Sequence, residues 1–174
     1  MTTTLVIGGC RSGKSTYALR LADDIGISRK YFLATCVPRD DEMHQRVTRH
    51  QAERGAGWTA IETPILLHEV IRDLGPQADV LLVDCLTLWT SNLMMEYSDP
   101  AAISEKTGQL IESLQTAACP VILVSNEVGA GIVPDNPLAR QFRDVMGQVN
   151  QQIAAGVDRV VWVVAGIPVT IKQP

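Results

Sequence analysis

Lys14 and Ser15 close the octet Gly8-Gly9-Cys10-Arg11-Ser12-Gly13-Lys14-Ser15, which satisfies G-x-x-x-x-G-K-[ST] at every position. The glycines let backbone N–H groups curl around phosphate oxygens, the lysine reaches the β and γ phosphates, and the hydroxyl after it can ligate Mg²⁺. An apolar run, Thr4 to Ile7, precedes the octet and a helical stretch, Thr16 to Asp23, follows it. The loop therefore opens a helix, whose positive N-terminal end favours the same anion. This arrangement predicts binding of a nucleoside triphosphate. The carboxylate that completes such sites stands at the end of a later apolar run, and Val80-Leu81-Leu82-Val83-Asp84 supplies it. Asp84 is the candidate to orient Mg²⁺, directly or through water; its other reading is a cap for the helical segment Leu86 to Met95.

A second chemical segment runs from Asp40 to Gly55, with acids at its start and glycine at its end, as helix dipole and C-cap rules prefer. On a helix Arg46, His50 and Arg54 fall at i, i+4 and i+8, so one face sets an imidazole between two guanidiniums. Neighbouring positive charge keeps an imidazole neutral and nucleophilic, and arginines can hold phosphate oxygens bidentately. His50 is thus a candidate to attack phosphorus. The competing reading is a solvated charged helix face. His44 and His68 have no comparable surroundings.

No N-K-x-D tetrapeptide appears, which disfavours a guanine-reading switch, and 174 residues are too few for a helicase or motor. A small-molecule kinase or a nucleotidyl transferase fits. An NTP-hydrolysing regulatory protein and a nucleotide-binding assembly subunit remain as rivals. Glu127 follows an apolar run at the edge where α/β ligand sites lie, beside Gly129-Ala130-Gly131, and so can touch substrate or metal. Arg140 and Arg143 suit phosphate, an intersubunit contact or ion pairing.

The elements that must position these groups alternate. Strand-like runs at Thr4–Ile7, Tyr31–Ala34, Val80–Asp84, Val121–Ser125 and Val160–Val164 are separated by stretches of helical period, such as Leu138 to Ala155 with its stripe Leu138, Phe142, Val145, Val149 and Ile153. That order predicts a mostly parallel sheet flanked by helices in one domain, residues 1–174. Arg159–Ala165 and Val169–Lys172 are joined only by Gly166-Ile167-Pro168, too short for a crossover, so the chain should end in an antiparallel hairpin at a sheet edge. The composition is that of an ordinary globular chain: 46% apolar, 20% charged, net charge −4. The acidic balance and lack of basic runs argue against nucleic-acid partners, and no window predicts a membrane span or a signal peptide, so a cytoplasmic protein is expected. Cys10, Cys36, Cys85 and Cys119 lie far apart with no C-x-x-C pair, which predicts reduced thiols, mostly buried, rather than a zinc site.

Across GGCRSGKS, DDEMHQRVTRHQAERG, VLLVDCLTLWTSNL and VSNEVGAGIVPDNPLARQFRDVMGQVNQQIA, covering essentially the whole chain, the sequence resembles the bifunctional adenosylcobinamide kinase/adenosylcobinamide-phosphate guanylyltransferases of cobalamin biosynthesis. The resemblance implies a RecA-like P-loop fold and a homotrimer. It implies two reactions: phosphorylation of adenosylcobinamide with ATP or GTP, then transfer of GMP from GTP to adenosylcobinamide phosphate through a guanylyl-histidine, releasing pyrophosphate. Carried onto this chain, the nucleophile is His50 and the phosphate-handling lysine is Lys14. The implied nucleotide contacts are Gly8, Gly9, Cys10, Arg11, Ser12, Gly13, Lys14, Ser15, Ala34, Thr35, Cys36, Gln51, Ala52, Glu53, Arg54, Glu62 and Asp84, with Ser15 and Asp84 toward Mg²⁺. Some relatives carry glutamate where Asp84 stands, and two consecutive histidines where this chain has Arg49-His50.

Overall fold

Leu5 and Ile7 alternate with Val6, Leu81 and Val83 with Val80 and Leu82, and Val121 and Leu123 with Ile122 and Val124; a period of two sends the two sets to opposite faces. All of them are buried. The computed structural model, which describes residues 1–38, 41, 45, 48, 55 and 57–173, builds these runs into seven strands: β1 Thr3–Gly8, β2 Lys30–Ala34, β3 Trp58–Glu62, β4 Val80–Asp84, β5 Val121–Asn126, β6 Arg159–Val164 and β7 Ile167–Lys172. They form one sheet in the order β3-β2-β4-β5-β1-β6-β7. Every neighbouring pair is parallel except β6 with β7.

The described helices are α1 Lys14–Ile25, α2 Leu67–Leu74, α3 Leu86–Glu96, α4 Pro100–Gln115 and α5 Pro137–Gly156, with a 3₁₀ turn at Gly75–Gln77. One sheet face is covered by α2 to α5, which bury Ile71, Trp89, Leu110 and Met146 among others against Leu5, Leu33, Leu81 and Leu123. The opposite face receives α1, whose small Ala18 and Ala22 lie against Val6, Leu82 and Val124. Small side chains there bring the helix, and the loop that precedes it, close to the sheet.

The long C-terminal helix is found one residue longer at each end than its apolar stripe predicts. Pro137 occupies its first turn and Asn136 caps it, Oδ1 accepting from the Ala139 N–H at 3.2 Å. Its far end is closed from the sheet: Lys172 Nζ donates to the carbonyls of Ala154, Ala155 and Val157 at 2.8, 2.9 and 2.5 Å, a cation at a helix C-terminus. The expected hairpin is present, but its turn is Ala165-Gly166, with φ of 51° and 81°. Two consecutive left-handed residues match the twist of the flanking strands. Pro168 therefore lies inside β7, an edge strand where a missing N–H is tolerated. No helix of the described residues is long and apolar enough to cross a membrane.

Candidate active site

Parallel strands bring their C-terminal ends to one edge, and β1 leads there directly into the octet. A Cβ on Gly8 would stand 2.5 Å from the Val163 carbonyl oxygen and 2.6 Å from Ser12 Oγ, so only glycine fits where the loop leaves the sheet. Gly13, at the N-cap of α1, has φ 91°, a conformation costly for any residue with a Cβ. No side chain caps the helix. A helix start with no side-chain cap suits an anion at that end, as phosphate-binding helix starts do. Ser12 Oγ is buried without a hydrogen-bond partner, so the loop holds a polar atom in want of one. Lys14 is buried with its Nζ donating to the Gly9 carbonyl at 3.1 Å. Ser15, half-buried, follows in the first helical turn. From below, the Gly166 N–H donates to the Ser12 carbonyl at 2.8 Å, so the hairpin turn supports the loop.

Asp84 ends β4, half-buried. One strand, β5, separates it from the loop-bearing β1. The N-cap of the following helix is Cys85, with no side-chain cap bond, so Asp84 does not occupy the cap position of its competing reading. A hydroxyl and a carboxylate make an oxygen donor set that suits Mg²⁺, which prefers one or two such ligands and keeps its remaining waters. Ala34, at the end of β2, is registered against Asp84 on one side and Glu62 on the other. Glu62 is exposed. Among the described residues, those carried over from the resemblance thus line one edge in a row, the octet at one end and Glu62 four strands away.

Thr35 is fully buried. Its Oγ1 donates to the Cys85 carbonyl at 2.7 Å and accepts from the Cys85 N–H at 2.8 Å; its side chain is spent on the residue after Asp84. Asn92, on α3, donates through Nδ2 to the Thr35 carbonyl at 2.8 Å and to the Pro64 carbonyl at 3.2 Å. The end of β5 is fastened similarly. Thr87 Oγ1 accepts from the Asn126 N–H at 2.9 Å, while Asn150 accepts from Ser125 Oγ at 2.7 Å and donates to the Asn126 carbonyl at 3.1 Å. Neither Asn92 nor Asn150 follows from motif reasoning. The available signal is an asparagine inside a helix, a poor helix former there, and Asn150 sits on the buried stripe of Met146, Val149 and Ile153.

Glu127 joins the same edge: its N–H donates to the Gly8 carbonyl at 3.0 Å, and its Oε1 accepts from the Gly129 N–H at 2.6 Å. Arg143 donates to the Gly129 carbonyl, and Arg140 to the carbonyls of Pro134 and Asp135 at 3.0 and 2.6 Å. Both arginines fasten the loop after β5 through its backbone, a use that sequence reading did not anticipate. All four cysteines are free; Cys85 and Cys119 are buried, Cys36 partly so and Cys10 exposed, so half of them rather than most are buried. Arg46, His50, Gln51, Ala52, Glu53 and Arg54 lie outside the described residues.

A phosphate loop joining the first strand to its helix, with a carboxylate strand one position beyond the adjacent strand, defines a P-loop NTPase fold. Solved structures agree on the fold. An ATPase of the type III secretion system of pathogenic bacteria matches 97% of this chain and 56% of its own, with TM-score 0.62 and 14% identity; the RadB recombinase matches 92% and 73%, with TM-score 0.50 and 18% identity. Within that class the chain belongs to the family described as cobinamide kinase / cobinamide phosphate guanyltransferase, whose model matches residues 4–171. It is a transferase. The bifunctional adenosylcobalamin biosynthesis protein CobP of Pseudomonas aeruginosa is 41% identical over 168 residues, covering 97% of this chain and 96% of its own. CobU of Escherichia coli, also described as a bifunctional adenosylcobalamin biosynthesis protein, is 41% identical over 181 residues, covering 97% and 98%.

Proposed function

We propose that this enzyme phosphorylates adenosylcobinamide and then converts the phosphate to adenosylcobinamide-GDP through a guanylyl group carried on His50. In the first reaction the side-chain hydroxyl oxygen attacks the γ-phosphorus of ATP or GTP, the bond to the β-phosphate oxygen breaks, and the hydroxyl proton is lost. In the second, an imidazole nitrogen attacks the α-phosphorus of GTP and pyrophosphate leaves. The corrinoid phosphate oxygen then displaces the imidazole. Both reactions start from a triphosphate, and the observation that carries the reading is the prepared loop: an uncapped helix start, a left-handed Gly13 and the partnerless buried Ser12 hydroxyl.

The row of residues along the sheet edge supports a nucleotide laid across it. Four strand spacings separate Gly8 from Glu62, roughly 19 Å, which suits phosphates at the octet and the nucleoside toward Ala34, Cys36 and Glu62. Gln51 to Arg54 complete the contacts in this reading. Ser15 and Asp84 would hold Mg²⁺, which neutralises charge on the phosphates. The homotrimer implied by the resemblance finds support in the terminal hairpin, where Trp162, Val164, Ile167, Val169 and Ile171 are exposed together, an apolar face of the kind that subunit interfaces cover. Four free thiols fit a reducing, cytoplasmic setting.

The test is corrinoid dependence. With ATP or GTP, Mg²⁺ and adenosylcobinamide, the protein should form the phosphate and then the GDP conjugate, with one pyrophosphate per conjugate. Nucleotide hydrolysis at an equal rate without corrinoid, and no conjugate with it, would overturn the reading in favour of a regulatory NTPase.

A further inference from the structure

The nucleotide edge is held by side chains that do not face it: Thr35 reaches the end of the strand that carries Asp84, and Asn92 holds Thr35. Thr35 closes a two-way hydrogen bond on the Cys85 peptide, while its own N–H donates to the Asp84 carbonyl at 3.4 Å. Asn92 then locks Thr35 to Pro64, two residues beyond Glu62. The Thr63 N–H adds a backbone bond to the Ala34 carbonyl at 2.8 Å. Three strand ends, those of β3, β2 and β4, are thereby joined by one hydroxyl and one carboxamide. The Thr35 hydroxyl is buried and doubly bonded, so losing it would leave the Cys85 N–H unpaired inside the protein, a cost that backbone movement relieves; the Cys85 carbonyl would keep the Trp89 N–H at 3.1 Å.

We infer that Thr35, seconded by Asn92, is a positioning residue that fixes the Asp84 carboxylate for the metal of the triphosphate. The inference rests on the reading of Asp84 given above. Thr35 acts through Asp84, so its contribution should exist only while that carboxylate is present.

Mn²⁺ titrated into the protein with a non-hydrolysable GTP analogue, and followed by the loss of the free-ion electron paramagnetic resonance signal, measures this without turnover. T35V should weaken Mn²⁺ binding about tenfold, the low end of what removing a group that orients a metal ligand costs, and T35S should restore it. In the double-mutant cycle, T35V should add nothing to D84N. N92A should shift affinity in the same direction, and it enters the cycle in place of T35V if that variant does not fold. Unchanged Mn²⁺ affinity in folded T35V alongside a weakened D84N overturns the positioning role alone. So do additive losses, or T35S behaving like T35V. Unchanged affinity in D84N overturns the reading of Asp84 itself.

Discussion

Lys14 Nζ lies 3.1 Å from the carbonyl oxygen of Gly9, the second residue of its own loop, and only 8% of the residue is exposed. The ammonium is folded across the loop it serves, largely stripped of water. Charge in such a setting acts on a phosphoryl group more strongly than it would in solvent.

Both proposed reactions transfer phosphorus from a triphosphate held by this loop, so K14A should impair both. The expected loss in turnover is on the order of 10²–10³ for each, as for removal of one preorganised donor. Separate kinase and guanylyl-transfer assays on a folded variant check it. Near-normal turnover in either would show that the two reactions do not share the loop.

H50A should separate the reactions. Direct attack by a corrinoid hydroxyl on a γ-phosphate needs no relay, so kinase activity should persist while guanylyl transfer is abolished. Wild-type protein incubated with α-labelled GTP should retain a label that acid removes and alkali does not, as a phosphoramidate on imidazole does. Label uptake by H50A would place the nucleophile elsewhere.

Cys10 lies exposed within the octet. Alkylation mapped by peptide analysis should find it reactive in the free protein and protected by saturating GTP with Mg²⁺. Cys85 should stay unmodified in both conditions, because burial, reinforced by the neighbouring Asp84 charge, pushes its thiol up to about 11. Burial raises Cys119 to about 11 as well, with Asp79 adding to the effect. Equal labelling of Cys10 with and without nucleotide would count against phosphate occupancy of the loop.

Asp79 accepts from the backbone N–H groups of Ser28 and Arg29, both at 3.0 Å, and from the Arg29 guanidinium at 2.8 and 3.1 Å. The Arg29 and Ser28 N–H bonds, followed by the guanidinium, hold its carboxyl well below the usual carboxylate value of 3.8. A folded-state value below the unfolded one stabilises the protein above the unfolded value and loses that contribution as pH falls through the folded one. Denaturant melts should therefore show D79N less stable than wild type at pH 6, with the gap narrowing as pH drops below 3.8. Asp158, held down chiefly by the Thr3 N–H, has the same sign and is present in both proteins, so the difference isolates Asp79. A gap independent of pH would remove the charge from the explanation.

What could be read without a structure follows from where the signal lies. The octet and Asp84 are legible because phosphate chemistry demands glycine, lysine and carboxylate at set places beside apolar strands. The hairpin is legible because three residues cannot cross over a sheet. By contrast β3 went unread, since none of its five residues is buried and one, Glu62, is charged: an edge strand bears little of the hydrophobic pattern that marks Val80–Asp84. Thr35, Asn92 and Asn150 escaped for a different reason. Their partners are backbone groups 24 to 57 residues away, and such pairing becomes visible only when the strand order is known. Arg140 and Arg143, open in sequence to phosphate, an intersubunit contact or ion pairing, here grip backbone carbonyls instead.

The Gly166 N–H that reaches the Ser12 carbonyl comes from the turn of the outermost hairpin, and a Cβ on Gly13 would stand 3.3 Å from the Gly166 Cα. The phosphate cradle therefore leans on the element of the sheet most open to its surroundings. A force applied to that hairpin, whether by a neighbouring molecule or by thermal fraying of an edge strand, is delivered straight to the backbone beneath the triphosphate, with no intervening side chain to absorb it.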